Sequence, residues 1–269
     1  MYHKLAFLFA LLLLCLTCSS KSEEAKDKPT TEGKTSITIV YDNYQINPEL
    51  KTAWGFGCVI NTPDIDILFD TGGDSNTLLS NMEKMNINPV DIDIVVISHI
   101  HGDHIGGLEG FLKKNSNVKV YIPASFPDSI KGGIISLGAE YVVISEAGEI
   151  CRDIYTTGEM GETIKEQSLI LNTEKGIVVI TGCAHPGIVE IVKRAKEIVP
   201  GRNIYLVMGG FHLGSASDRK LKGIIESFRE LDVEKVAPSH CSGNRCRELF
   251  KEEYKSDYID SGAGKKINI

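Results

Sequence analysis

The chain has 269 residues, of which 42% are hydrophobic and 24% charged, and these ordinary globular values exclude wholesale disorder and a polytopic membrane protein. Its length suits one large domain or two small ones and exceeds that of a disulfide-stapled miniprotein. The formal net charge is −7 and no long run of lysine or arginine occurs, so we expect no nucleic-acid partner.

The first residues have the pattern of an export signal. Lys4 is followed by the apolar run 5–16, which is shorter than the roughly 20 residues that a membrane span needs. Cys18 and a polar segment come next, as in a bacterial lipoprotein signal. We therefore expect residues 1–18 to be a signal peptide of the lipoprotein type, with an ordinary cleaved signal as the alternative. The expected location is the periplasm or the cell surface, with a lipid on Cys18 anchoring the chain to a membrane.

A polar segment separates this signal from the rest of the chain. Residues 19–34 contain no large apolar side chain, so they are predicted to be a flexible tether. Residues 35–269 form the expected folded domain. It holds an odd number of scattered cysteines, which does not predict a disulfide framework. Cys183 and Cys241 each adjoin a turn that contains histidine, so metal contact is the better interpretation for at least one of them.

Strands and helices are predicted from apolar periodicity and from bounding Gly, Pro and Asp residues. In the first half these are strands 36–41, 55–61 and 65–69, helix 74–86, strand 93–98, helix 108–114, strand 118–122, helix 125–137 and strand 141–144. In the second half they are a hairpin of strands 167–172 and 177–181, helix 186–199, strand 203–208, helix 217–231, strand 233–237 and helix 243–250. Early hairpins followed by alternating strands and helices favour two packed sheets with helices outside over one parallel sheet.

The histidines carry most of the functional information. All but His3 follow predicted strands and lie in or beside turns of small residues: His99, His101, His104, His185, His212 and His240. His99 and His101 are two residues apart at a strand end, so their side chains point the same way, and Asp103 and His104 follow at once. Such a cluster of imidazoles with a carboxylate predicts one or two divalent metal ions, with zinc expected.

Metal ions at such a cluster would lower the pKa of bound water and polarise a carbonyl or phosphoryl oxygen. Asp103 is the candidate catalytic residue, because its carboxylate can reach both the metal and the water and can orient or deprotonate that water. The alternative to a metal site is a solvated, histidine-rich loop without a function. The segment Asp70-Thr71-Gly72 is also typical of aspartic proteases, but that chemistry needs a second such aspartate, and no second Asp-Thr-Gly occurs.

Three segments resemble motifs of the metallo-β-lactamase superfamily: Phe69–Gly73, His99–His104 and Pro238–His240. The resemblance extends over about 36–269. It implies an α/β fold for residues 35–269, the four-layer αββα arrangement of two mixed sheets with helices outside, in a catalytic domain. Three further segments resemble the dihydropterin synthase-like branch of that superfamily: Thr181–Gly187, Met208–Leu213 and His240–Gly243.

The resemblance also implies the roles of the site residues. One metal would be held by His99, His101 and His185, and the other by Asp103, His104 and His240, with Asp70 supporting the ligands without binding metal. Cys183 stands where most members have a bridging aspartate, so it is either a thiolate ligand or a buried thiol that fills space. His212 is a ligand, a substrate contact or a supporting group. The usual Pro-Gly-His is replaced by Thr157-Gly158-Glu159, which makes Glu159 a further candidate donor.

The expected function is a metal-dependent hydrolase that uses a metal-bound hydroxide on a small-molecule ester, lactone or phosphoester. One alternative is the activity of the branch's namesake, a transferase that condenses a pterin diphosphate with an aminobenzene ribofuranosyl phosphate. Export argues against it, because phosphorylated pterins belong in the cytoplasm. A second alternative is a metal-binding lipoprotein without catalysis.

Overall fold

The computed structural model describes residues 35–269, and the predicted signal and tether lie outside these residues. The strands of the described part are β1 (Ser36–Asp42), β2 (Phe56–Asn61), β3 (Asp66–Phe69), β4 (Ile94–Val96), β5 (Lys119–Pro123), β6 (Glu140–Ile144), β7 (Gly148–Cys151), β8 (Ile154–Thr156), β9 (Leu169–Thr173), β10 (Gly176–Thr181), β11 (Ile204–Gly210), β12 (Val233–Ser239) and β13 (Lys266–Asn268). The α-helices are α1 (Ser75–Lys84), α2 (Gly102–Ile105), α3 (Leu108–Leu112), α4 (Asp128–Ser136), α5 (Ile188–Ile198), α6 (Asp218–Glu230) and α7 (Asn244–Tyr254). Short 3₁₀ helices cover Pro89–Asp91, His240–Ser242 and Lys255–Asp257.

The strands form two mixed sheets. The first has the order β13-β1-β2-β3-β4-β5-β6, antiparallel from β13 to β3 and parallel from β3 to β6. The second has the order β12-β11-β10-β9-β8-β7, parallel from β12 to β10 and antiparallel from β10 to β7. The predicted hairpin is therefore present as β9 and β10.

Three buried apolar clusters define four layers. The central cluster joins the facing sides of the two sheets, with Phe69 from the first sheet and Met208 from the second. The second cluster packs α5, α6 and α7 on the outer face of the second sheet, around Phe228. The third packs α1, α3 and α4 on the outer face of the first sheet, around Phe111. Each sheet buries both faces, which explains the nearly continuous apolar runs in β10 and β11. The predicted αββα fold is confirmed.

The structure adds strands that the sequence pattern did not predict. β7, β8 and β13 have three or four residues each, and β7 and β13 lie at sheet edges. Such short strands carry too few apolar side chains to give a period-2 signal. Two helix starts also differ from their predictions by more than one residue: α4 begins at Asp128 rather than at Ser125, and α5 begins at Ile188 after Gly187, whose φ of 98° suits glycine, rather than at Pro186.

No helix within residues 35–269 is both long enough and apolar enough to cross a membrane.

The order and direction of the strands bring the histidine-bearing loops together. β10, β11 and β12 are parallel neighbours, so the loops after their carboxyl ends emerge at the same edge of the second sheet. β3 and β4 are likewise parallel in the first sheet.

Candidate metal centre

The loops after β4, β10, β11 and β12 converge and carry the predicted donors other than Glu159. These are His99, His101, Asp103 and His104 after β4, Cys183 and His185 after β10, His212 after β11, and His240 after β12. Several sets of these donors have ligand atoms within 4.8 Å of one another, and two of the sets are His99 with His101 and His185, and Asp103 with His104 and His240. These are the two groupings that the resemblance implied.

Close nitrogen and sulfur contacts tie the groups together. Nε2 of His99 lies 3.1 Å from Nδ1 of His101. Nε2 of His104 lies 3.3 Å from Nε2 of His240 and 3.3 Å from Sγ of Cys183. Cys183 is thus central to the cluster, at 3% exposure, and is near donors of both groups.

Asp70 orients two of the imidazoles. Its Oδ2 lies 2.7 Å from Nδ1 of His104 and accepts a hydrogen bond of 2.7 Å from the hydroxyl of Ser98. Because that hydroxyl donates to Asp70, its oxygen is left to accept from Nδ1 of His99 at 2.9 Å. Both Nδ1 atoms therefore carry protons, and both Nε2 atoms present lone pairs to the cluster. Asp70 itself is fully buried and supports the donors without belonging to either group.

A similar contact orients His240. Its Nδ1 lies 3.0 Å from Oδ1 of Asn43 and donates to it, so its Nε2 lone pair faces Nε2 of His104. Against the effect of burial, the Asp70 carboxylate raises the pKa of His104, so this position favours a positive charge. A divalent metal held by His104 and His240 would supply that charge and would satisfy both lone pairs. The donor chemistry of the cluster therefore fits a divalent transition metal.

Other imidazoles are held neutral, which is the form that binds metal. Burial, followed by the charges of neighbouring histidines, lowers the pKa of His99 well below its usual range. The same causes lower the pKa of His185 to about 4. Nε2 of His185 is buried and has no hydrogen-bond partner within the described residues. An unpaired buried nitrogen beside His99 and His101 is what we expect of an atom that ligates a metal ion.

Asp103 is the one carboxylate of the cluster with access to solvent. Its Oδ2 lies 3.3 Å from Nε2 of His240 and 3.6 Å from Nε2 of His104, and its side chain is 23% exposed. Although burial acts to raise it, the close contacts with the imidazoles of His240 and His104 hold the pKa of Asp103 well below its usual range. This carboxylate is therefore ionised and open to both the donors and water.

Comparison with known proteins agrees with this geometry. The sequence pattern of the metallo-beta-lactamase superfamily matches residues 58–240, which include β2 to β12 and most of the donors. The chain belongs to the metallo-β-lactamase superfamily.

Several known proteins are similar to this chain. The 7,8-dihydropterin-6-methyl-4-(beta-D-ribofuranosyl)-aminobenzene-5'-phosphate synthase of Methanocaldococcus jannaschii is 31% identical over 247 residues, which cover 76% of this chain and 84% of the relative. The solved structure of Tm1679, a metal-dependent hydrolase of the beta-lactamase superfamily, is 28% identical with a TM-score of 0.72 and covers 87% of this chain and 99% of that chain. Ribonuclease Z of Pediococcus pentosaceus is 28% identical over 137 residues, or 45% of this chain and 42% of the relative.

The predicted family is confirmed by these similarities, including the resemblance to the dihydropterin synthase-like branch. Because the named relatives are enzymes, the chain is an enzyme, as predicted. Members of this superfamily generally bind divalent metals, and the donor groups described above give this chain a candidate site for them.

Glu166 is a site residue that the sequence did not reveal. Its carboxylate is buried and accepts backbone N–H bonds from Cys183 and Ala184 at 2.9 Å and from His185 at 2.8 Å. These three bonds hold the loop after β10 in place, and with it the donors Cys183 and His185. In the sequence, Glu166 stands before the strand β9 like many solvent-exposed charges, so no local signal distinguished it.

Cys241 is a second addition to the site. Its Sγ lies 3.2 Å from Sγ of Cys183, and it forms a candidate donor group with Cys183 and His240. The contact with Cys183 lowers the pKa of Cys241, against the effect of burial. One sulfur of the pair is therefore available as a thiolate. The sequence had favoured metal contact for at least one of these two cysteines without choosing between them.

His212 and Glu159 have different positions. His212 is exposed, and its ring centre lies 4.4 Å from that of His185 at the outer side of the cluster. It forms a further candidate group with Cys183 and His185. Glu159 belongs to no candidate group among the described residues, and its carboxylate instead accepts the backbone N–H of Ser125 at 2.6 Å.

Half of the eight non-glycine residues with left-handed backbone angles in the described part of the chain lie at the site. Four non-glycine residues of the site have left-handed backbone angles: Asp70 (φ 55°), Ala184 (φ 59°), His212 (φ 52°) and His240 (φ 47°). Each such conformation costs on the order of 1–3 kcal/mol and persists where the surrounding structure enforces it, often at functional sites. The packing around the site therefore holds these four residues in backbone conformations that they rarely adopt.

The only tryptophan of the chain lies beside the donor cluster. Trp54 is 60% exposed, and its ring centre is 4.8 Å from that of His240. It gives the solvent side of the donor cluster an aromatic surface.

Proposed function

We propose that this enzyme is a metal-dependent hydrolase that cleaves an ester, lactone or phosphoester bond in a small-molecule substrate. The observation that carries the proposal is the meeting of the Nε2 atoms of His104 and His240, 3.3 Å apart, with Asp103 within 3.6 Å of each. This arrangement combines donors for a cation with a carboxylate that reaches solvent. Nitrogen and sulfur donors favour zinc over magnesium or manganese.

The site residues would have three roles: metal binding, orientation of the water and control of the imidazole tautomers. His99, His101 and His185 would hold one ion and Asp103, His104 and His240 the other, with Cys183 between the groups. A bound divalent cation lowers the pKa of water and polarises a carbonyl or phosphoryl oxygen. Asp103 orients the attacking water and accepts its proton at Oδ2. Asp70 keeps the imidazoles of His99 and His104 in the tautomers that present Nε2.

Hydrolysis is preferred over group transfer for two reasons. The similar structure Tm1679 is a metal-dependent hydrolase, and the expected export of this chain separates it from phosphorylated pterins in the cytoplasm. The second candidate is a transferase of the dihydropterin synthase type, which the 31% identity to the M. jannaschii synthase favours. A non-catalytic metal-binding lipoprotein is disfavoured because Asp103 is both ionised and partly exposed.

Substrate assays of the purified protein test this choice. We expect the zinc-loaded protein to hydrolyse at least one class among esters, lactones and phosphodiesters, and we expect a chelator to abolish the reaction. Condensation of a pterin diphosphate with the aminobenzene ribofuranosyl phosphate, without hydrolysis of the panel, would establish the transferase instead. Full metal loading with neither reaction would leave the non-catalytic alternative.

We also propose that the mature protein is an exported lipoprotein anchored through Cys18. The support is the sequence pattern of the first 18 residues and the polar segment behind them. Several acyl chains together hold a protein firmly on a membrane, whereas one chain holds it weakly. Mass spectrometry of the native N-terminus should find a lipid-modified Cys18, and an unmodified N-terminus further along the chain would contradict the proposal.

A further inference from the structure

A cavity of about 270 Å³ lies next to the candidate metal centre. His185 and His212 form the boundary between them. The ring of His185 lies 4.8 Å from that of His99 and 4.9 Å from that of His101 on the metal side, and 4.4 Å from that of His212. If the reacting bond of a substrate is at the metal centre, the part of the substrate on one side of that bond, here called an arm, can therefore enter this cavity.

The wall of the cavity is mostly apolar. Ile188 from α5, Leu213 from the loop after β11 and Ile224 from α6 line it. A Cβ added at Gly187, another lining residue, would meet no atom within 4 Å, so the cavity is open there. Its volume of about 270 Å³ lies just below the range of ligand pockets, which is roughly 300–1,000 Å³. The cavity suits a compact apolar group and is too small for a polymer segment.

One unpaired cation lines this apolar wall. Lys220, in the first turn of α6, contributes to the cavity, and its charge acts on His212. Lys220 is exposed, and its ammonium group makes no hydrogen bond or ion pair within residues 35–269. The carboxylate of Glu190 also lines the cavity, but it is paired with Lys193 at 2.9 Å. The lining therefore leaves a positive charge without a partner.

We propose that this cavity binds an arm of the substrate that has an apolar body and an anionic end, a carboxylate or a phosphate. The body packs on Ile188, Leu213 and Ile224, and the anion pairs with Lys220. The ammonium group of lysine is a point charge on a flexible stem, so it accepts either anion without a fixed geometry. The proposal rests on the proposed hydrolase function only in placing the reacting bond of the same substrate at the metal centre.

Matched ketones test the cavity without any turnover. Benzoylbutyrate carries a carboxylate at the end of its alkyl arm, and butyl phenyl ketone has a methyl group in that place. Neither has a bond to hydrolyse, so calorimetry on the zinc-loaded protein reports binding alone. We expect the keto acid to bind more tightly than the ketone. Lys220→Ala should weaken the keto acid about tenfold, as expected for loss of a charged hydrogen bond, and leave the ketone unchanged.

Variants of the same helix separate a specific contact from a general charge effect. Lys220→Arg should keep the preference for the keto acid, and Lys220→Glu should remove it. Lys222→Ala makes the same charge change at an exposed position of α6 outside the cavity lining and should have no effect. The proposal is overturned if the keto acid has no advantage, or if Lys220→Ala and Lys222→Ala weaken it equally.

Hydrolysis of the corresponding phenyl esters is measured in parallel to keep the two proposals apart. If the esters are not cleaved while the keto acid binds through Lys220, the cavity assignment stands and hydrolysis of such esters fails. If both esters are cleaved with the same KM, the hydrolase proposal stands and the cavity assignment is wrong. A rise in KM for the acidic ester alone in Lys220→Ala, with kcat unchanged, supports both.

Discussion

Sγ of Cys183 lies 3.2 Å from Sγ of Cys241, although the two residues are 58 positions apart in the chain. Cys183 follows β10 and Cys241 follows β12, and β11 lies between these strands in the sheet. The parallel arrangement thus brings two sulfur atoms to the base of the histidine cluster. A pair of soft donors at that point distinguishes this centre from one built of histidine and carboxylate alone.

Cobalt substitution tests whether these sulfurs bind metal. A bound thiolate gives an intense charge-transfer band in the near ultraviolet, and histidine or carboxylate does not. We expect Co²⁺-loaded protein to show this band. We expect Cys183→Ser to remove most of the band and to lower the metal content, and Cys241→Ser to weaken the band.

The control is Cys246→Ser, because Cys246 is a fully buried thiol that belongs to no candidate donor group of the described residues. It should leave the spectrum unchanged. If Cys183→Ser and Cys241→Ser also leave the spectrum and the metal content unchanged, the two thiols only fill space, and the donors are the histidines and Asp103.

Asp103→Asn tests the proposed base. An amide keeps the size of the side chain but accepts no proton, so we expect turnover to fall by roughly 10²–10⁴. Metal content must be measured on the same sample, because Asp103 is also a candidate ligand. Asp128→Asn, at a fully exposed carboxylate on α4, is the control and should retain full activity. Undiminished turnover of Asp103→Asn with its metal retained would remove Asp103 from the mechanism.

Gly182→Ala tests the support that Asp70 gives to the imidazoles. A Cβ at this position would lie 2.1 Å from Oγ of Ser98 and 2.9 Å from Oδ2 of Asp70. The side chains of Ser98 and Asp70 must therefore move away from the added methyl group. Disturbing such supporting hydrogen bonds should lower metal affinity about 10- to 100-fold. Gly132→Ala adds the same methyl group on α4, where no atom lies within 4 Å, and should have no effect on affinity. Competition with a chromophoric chelator measures both, and equal affinities would contradict the role of this contact.

Much of this architecture could be predicted from the sequence. Apolar runs that end in histidine-bearing turns gave β4, β10, β11 and β12, and with them most of the donors. Such segments are informative because a buried strand needs a continuous apolar run and a metal cluster needs closely spaced donors. The two sheets followed from the order of hairpins and helices.

Two of the supporting residues, Asn43 and Glu166, could not be predicted, for a physical reason. Asn43 contacts His240 across 197 positions of sequence, and Glu166 binds three backbone amides of another loop. Contacts of this kind depend on sheet order and register, which leave no periodic pattern near the residue itself. A single buried carboxylate such as Glu166 has the same local sequence appearance as an exposed one.

Asp42 provides a prediction about pH and stability. It ends β1, is completely buried and has one oxygen, Oδ2, without a hydrogen-bond partner in the described structure, whereas Oδ1 accepts from the N–H of Tyr44 at 2.8 Å. Burial raises the pKa of Asp42 to about 6. Because this is above the usual carboxyl pKa of about 4, the folded protein holds the proton more tightly than the unfolded chain. The stability that this group contributes is therefore complete below about pH 4 and is lost as the pH rises through about 6.

Asp42→Asn removes this dependence, because the amide stays neutral at every pH. We expect the variant to have a free energy of unfolding up to about 3 kcal/mol higher than the natural protein at about pH 7.5, with a smaller difference at about pH 5. Urea unfolding of the metal-free protein at both pH values measures the two differences. Asp91→Asn, at an exposed carboxylate, should show no such change between the two pH values. A variant that is less stable than the natural protein at about pH 7.5 would mean that Asp42 is ionised in the fold and stabilised there by its neighbours.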